Sequence, residues 1–111
     1  MTMSIRRGAA AFAAVALLSL PLVVHADNKH VSEALEHAKG AVNHGKQGHA
    51  DAVAQHAEEA LKHAQAAGVK NPHLDEGIKH LKEAVTHGKA GHADVATEHA
   101  EAAVTHLSEV K

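Results

Sequence analysis

The chain of 111 residues carries 11 Lys plus Arg against 13 Asp plus Glu, with 13 His, one Phe and no Cys, Trp or Tyr, a length that bounds it to one small domain. Without cysteine there is no disulfide framework, thiolate zinc site, C-x-x-C redox pair or covalently attached c-type haem. A formal charge of -2 and a near absence of aromatics offer neither the basic footprint nor the stacking surfaces that nucleic acid needs, so no nucleic-acid partner is expected.

Residues 1–26 read as a cleavable signal segment. Arg6 and Arg7 form a positive start, Gly8 to Val24 an apolar run interrupted by Pro21, and Val24-His25-Ala26 the small-residue exit that a signal peptidase accepts. No second hydrophobic span follows, so a retained membrane helix is the weaker reading, and the expected location is the periplasm, off the membrane after cleavage. Cleavage after Ala26 leaves residues 27–111, which carry 9 Lys, 13 acidic residues and 12 His, for a formal charge of -4. It also puts His30 one place too far from the new N-terminus for an amino-terminal x-x-His chelate. The remaining apolar content is 18 Ala against 14 Val, Leu and Ile, which makes a thin core.

From there the pattern is helical and repeated. Val31, Ala34, Leu35, Ala38, Ala41 and Val42 recur at i, i+3, i+4, i+7, as do Ala50, Val53, Ala57, Ala60, Leu61 and Ala64. Leu74, Ile78, Leu81, Ala84 and Val85 do the same, and so do Ala93, Ala96, Ala100, Ala103, Val104 and Leu107. Four helices are predicted, over approximately 29–45, 49–67, 72–88 and 92–110. Gly45 with Gly48, and Gly88 with Gly91, mark the turns where a left-handed residue ends a helix. Asn71-Pro72 opens the third helix as an N-cap followed by Pro at the first helical position. Gly40 and Gly77 fall inside helices. An offset of 43 residues superimposes His30, His37, His44, His49, His56 and His63 on His73, His80, His87, His92, His99 and His106. The expected fold is therefore all-α: an up-down-up-down antiparallel four-helix bundle built from a duplicated helical hairpin, preceded by the signal segment.

The twelve histidines share one heptad register, on the rim of the apolar stripe. In the first hairpin the numbers of facing residues add to 93 for His44 with His49, His37 with His56 and His30 with His63. In the second they add to 179 for His87 with His92, His80 with His99 and His73 with His106. Two His seven residues apart on one helix stand about 10.5 Å apart, too far to share an ion with bonds of about 2 Å, so a site has to recruit across helices. Glu33, Glu59, Glu76 and Glu83 stand four residues before His37, His63, His80 and His87. Glu33, Glu59, Glu76, Glu83 and Glu109 also stand three residues after His30, His56, His73, His80 and His106. Each is either a carboxylate partner of a site or a solvated residue paired with Lys. On spacing, the turn pairs His44/His49 and His87/His92 depend more on water or on backbone.

A single helix histidine is ordinarily a solvated residue. Twelve in one register are not, because His is a poor helix former and propensity does not select it. All twelve are therefore candidate metal ligands. Imidazole with carboxylate, and neither thiolate nor thioether, suits borderline divalent ions, with Cu(II) first and Ni(II) or Zn(II) after it. The H-x6-H-G-K-x-G-H-x6-H arrangement, carried twice behind the signal segment, resembles the small periplasmic metal-binding protein family of ammonia-oxidising bacteria over essentially the whole of residues 27–111. The resemblance implies a monomeric four-helix bundle that binds several divalent ions, copper foremost, and buffers or scavenges them; metal exchange with another periplasmic protein would follow. The twelve His fit that pattern, whereas the carboxylate partners rest on spacing alone.

Other classes fit less well. A ferritin-like di-iron site needs Glu-x-x-His, which does not occur here. Rim histidines beside an alanine core leave no room for a b-type haem. Ser32 and Ser108 sit in no recognisable triad, so no enzyme is expected. The alternative that uses the same residues is a pH-responsive structural bundle without specific metal cargo, opened by protonation of the imidazoles.

Overall fold

The computed structural model describes residues 28–111, so the signal segment expected over 1–26 lies outside the described residues. Four α-helices follow in order: α1 Lys29–Lys46, α2 Ala50–Ala66, α3 Pro72–Lys89 and α4 Ala93–Ser108. They pack as a bundle in which α1 lies against α2 and α4, and α3 against α2 and α4. Among the described residues there is no strand, and no helix is long and apolar enough to cross a membrane.

The core is mostly alanine, with a few larger aliphatics inside it and the rest at its margins. Ala34, Ala38, Ala41, Ala57, Ala60, Ala84, Ala96, Ala100 and Ala103 are fully buried, and the largest fully buried side chains are Leu81, Leu107 and Val53. Leu35, Val42, Leu61, Ile78, Val85 and Val104 are only partly buried against that cluster. Small residues let the helices approach closely, and two glycines mark the tightest points. A Cβ at Gly45 would collide with Thr97 of α4, and one at Gly88 would lie 3.0 Å from Ala54 of α2. These two were expected to act as turn residues. Both are instead buried within the last turn of their helices and are required by a neighbouring helix, not by backbone conformation.

The turn proper belongs to Gly48 and Gly91, with φ of 82° and 84°. The N–H of Gly48 donates to Gly45 O at 2.9 Å and that of His49 to His44 O at 3.0 Å. The second turn repeats this, with Gly91 to Gly88 at 3.1 Å and His92 to His87 at 2.9 Å. That pair of bonds is the Schellman motif, which satisfies the last carbonyls of a helix through a left-handed residue. It has a consequence for the histidines, because it ties the backbones of His44 and His49, and of His87 and His92, directly to one another. Asn71 caps α3 as its sequence suggests, its side-chain oxygen accepting from His73 N at 2.8 Å and Leu74 N at 3.3 Å, with Pro72 next. The fourth helix ends two residues before the expected 110, where the amides of Glu109 and Val110 turn to His106 O and Leu107 O and tighten the last turn.

Candidate metal centre

The turn bond sets the first rung, and the seven-residue spacing carries the register away from it. His44 lies beside His49, His37 beside His56 and His30 beside His63, so that numbering rises along α1 as it falls along α2. His87 with His92, His80 with His99 and His73 with His106 do the same on α3 and α4. All six expected pairs are brought together. His30, His49 and His92 are exposed, and the other nine rings are half-buried along the seams.

The rings do not form separate layers. Side chains on a helix lean toward its own N-terminus, so rings on two helices numbered in opposite senses lean in opposite directions. His37 and His63 meet between their levels at 5.6 Å with planes 7° apart, and His44 and His56 at 4.9 Å and 15°. His80 and His106 meet at 5.6 Å and 8°, and His87 and His99 at 5.5 Å and 4°. The level pairs are more tilted, by 29° to 39°. Each seam is therefore a continuous zigzag of six imidazoles, in the order His30, His63, His37, His56, His44, His49 and, on the other, His73, His106, His80, His99, His87, His92. Nitrogens approach closely within it: Nδ1 to Nδ1 is 3.5 Å for His30/His63, 3.3 Å for His73/His106 and 3.1 Å for His80/His99.

Carboxylates join the zigzag at four places, in groups whose ligand atoms all lie within 4.8 Å of one another: His30/Glu33/His63, His37/Glu59/His63, Glu76/His80/His106 and Glu83/His87/His99. Two ligands on one ion at about 2 Å each stand at most about 4 Å apart, so small side-chain rotations close these groups. Three of the four use a diagonal pair that the level-by-level spacing does not reveal. Glu83 Oε1 lies 3.5 Å from His87 Nε2, the contact that its i, i+4 spacing offers. Glu33 lies 3.1 Å from His63 Nδ1 across the seam and 3.8 Å from His30, not beside His37. Glu109 reaches His73 Nε2 at 3.2 Å instead of its helix neighbour His106, and the Nδ1 of that same His73 faces His106. His44, His49, His56, His73 and His92 stand in no such group among the described residues. The Nδ1 of His44 is buried with no hydrogen-bond partner.

Burial and neighbouring charge favour the neutral form of two of these rings, His56 and His80. Burial pushes the His56 pKa below the ordinary 6.5, helped by positive charge on His44 and His37 and opposed by Glu59. His80 is lowered in the same way, first by burial and then by His99, His106 and Lys79, against Glu76. A neutral imidazole has a free lone pair, which is the form that ligates.

An all-helical bundle whose seams gather imidazole and carboxylate at ion-binding spacing defines a class of metal-binding scaffold. Residues 3–110 match the small metal-binding protein family, and the chain belongs to that family. A comparison with curated proteins gives no match.

Proposed function

We propose that the protein is an exported, periplasmic, monomeric metal-binding protein that sequesters or buffers several divalent transition-metal ions, Cu(II) foremost and Ni(II) or Zn(II) after it, with no turnover. Its ligands are the twelve paired His, with Glu33, Glu59, Glu76, Glu83 and Glu109 as carboxylate partners, on an up-down-up-down bundle of duplicated hairpins. The ions are cargo, passed on by exchange with another periplasmic protein. The observation that carries this reading is the zigzag itself: half-buried imidazoles from neighbouring helices at matching heights, with carboxylates beside them. A donor set of imidazole and carboxylate favours Cu(II) over the other common divalent ions by the Irving–Williams order.

The direct test is a Cu(II) titration of the purified metal-free protein, followed by calorimetry and d–d absorption. Several equivalents are expected to bind, with nitrogen-rich spectra. Because the ligating form is the neutral ring, with an ordinary pKa of about 6.5, loading is expected to fall as pH drops through about 6. Uptake at pH 5 equal to that at pH 7.5 contradicts the reading. A chain that binds no copper in the micromolar range yet loses its helicity between pH 7 and 5 is instead the pH-responsive bundle.

A further inference from the structure

The two seams repeat the same six-histidine pattern but not the same carboxylates. On α3 and α4 the groups Glu76/His80/His106 and Glu83/His87/His99 share no residue, so both can fill at once. On α1 and α2 both groups use His63. One ring serves two ions only by bridging through both nitrogens, which requires the doubly deprotonated imidazolate and is unfavourable near neutral pH. The two groups on that seam therefore compete for one ligand.

The α1–α2 seam has a further candidate pair, His44 with His56, the counterpart of His87 with His99 at the offset of 43. The position that corresponds to Glu83 is Gly40. Its effect is visible in the geometry: a Cβ at Gly40 would lie 3.1 Å from His56 Nδ1 and 3.3 Å from Cε1, so the ring rests where a side chain would otherwise stand. His56 accordingly leans toward the turn, 4.9 Å from His44 and 5.9 Å from His37. His99, facing Glu83, sits 5.5 Å from His87 and 5.3 Å from His80. The result is a pair of imidazoles that, among the described residues, closes no group with a carboxylate, and one of its nitrogens, His44 Nδ1, is buried with no hydrogen-bond partner. A divalent ion there keeps its full charge in a partly dehydrated seam, whereas at the other groups a carboxylate offsets part of it.

We propose that the tightest ions divide unevenly: the α3–α4 seam holds two, at Glu76/His80/His106 and Glu83/His87/His99, the α1–α2 seam holds one, centred on His63, Gly40 is the residue that withholds a second such site there, and the remaining His pairs bind more weakly. This rests on the metal-binding reading above and adds the division of ions between the seams.

The test is to count the Cu(II) that purified protein retains against a competing chelator and to locate the sites with diamagnetic Zn(II), whose ligation shifts the imidazole nitrogen NMR signals of the rings that hold it. The unsubstituted protein is expected to retain three ions at a chelator concentration that strips weaker pairs, with His80, His87, His99, His106 and His63 shifted. Glu83→Gln is expected to retain two, its lost site weakened by about tenfold or more, with His87 and His99 unshifted. Gly40→Glu is expected to retain four, with His44 and His56 joining the shifted set. Equal retention on the two seams overturns the proposal, as does a Glu83→Gln protein that still holds three. A Gly40→Glu protein of unchanged helix content that holds only three also overturns it. Should Gly40→Glu fail to fold, because His56 has to move aside, Glu83→Gln decides alone. A protein that retains no Cu(II) at all defeats the metal-binding reading, a result distinct from an even division of retained ions.

Discussion

His56 and His80 are the two imidazoles whose protonation the seam resists most clearly, and both sit in the middle of their zigzag, each between two other rings. Their folded-state pKa values lie below the ordinary 6.5 that the unfolded chain restores. Below that pH the unfolded state binds more protons than the folded one, so stability rises with pH through this window and falls on acidification. The metal-free protein is therefore expected to be most stable above about pH 6.5 and to lose stability progressively toward pH 5. Chemical denaturation at several pH values checks this, and a midpoint that holds or rises between pH 7 and 5 refutes it. His56→Gln and His80→Gln, which keep a polar side chain of similar length but cannot titrate, should each flatten part of that slope.

At the scale of the elements, the turns do most of the positioning. Gly48 and Gly91 hold left-handed φ with nothing within 4 Å of where a Cβ would be, so Ala at either position costs only backbone strain, about 1–2 kcal/mol. Gly45→Ala and Gly88→Ala keep an acceptable φ but drive a methyl into Thr97 or Ala54, an overpacking expected to cost about 1–3 kcal/mol. Asn in place of Gly48 should recover part of the strain loss, since Asn tolerates αL, whereas Asn in place of Gly45 should be worse than Ala. Urea denaturation of these variants separates the two mechanisms, and equal rescue by Asn at Gly48 and Gly45 would show that they are the same. This difference bears on what the sequence alone could reveal. The helices, the Asn71 cap and the six level His pairs follow from periodicity and from the arithmetic of facing residues, which need only a straight helix and a short turn. The diagonal contacts do not, because that arithmetic treats each side chain as lying at the height of its own Cα, whereas the lean toward the N-terminus displaces rings on facing helices in opposite directions. The carboxylates were legible as partners within a helix, where Glu59 stands with His63, Glu76 with His80 and Glu83 with His87, but not across the seam, where Glu33 turns to His63 and Glu109 to His73. The contrast between Gly40 and Glu83 was present in the offset of 43. Its meaning depends on the His56 ring lying against that backbone, which no spacing rule supplies.

At the scale of the molecule, the bundle combines a mostly alanine interior with seams made of titratable rings. Alanine buries little area per residue, so the apolar contribution to stability is small for the number of residues ordered. The ion pair of Lys89 with Glu58 at 2.8 Å ties α3 to α2, but such a surface pair contributes little. The groups that span α1 to α2 and α3 to α4 are the same imidazoles and carboxylates that would hold ions, so occupancy of a seam crosslinks two helices of the bundle. A ligand that binds only the folded form stabilises it by about 2.7 kcal/mol per independent site at a hundredfold excess over its dissociation constant. With so modest a core, Cu(II) is expected to raise the melting temperature by well over ten degrees, since about 1 kcal/mol moves the midpoint of a domain this small by roughly 4–8 °C. The rise should be larger at pH 7.5 than at pH 5.5, where protons compete for the rings, and chelation should reverse it. Thermal unfolding followed by far-ultraviolet circular dichroism measures all three. Tight Cu(II) binding by calorimetry together with an unchanged melting temperature would mean that the ions are held equally well by the unfolded chain, and that the seam geometry contributes nothing to their capture.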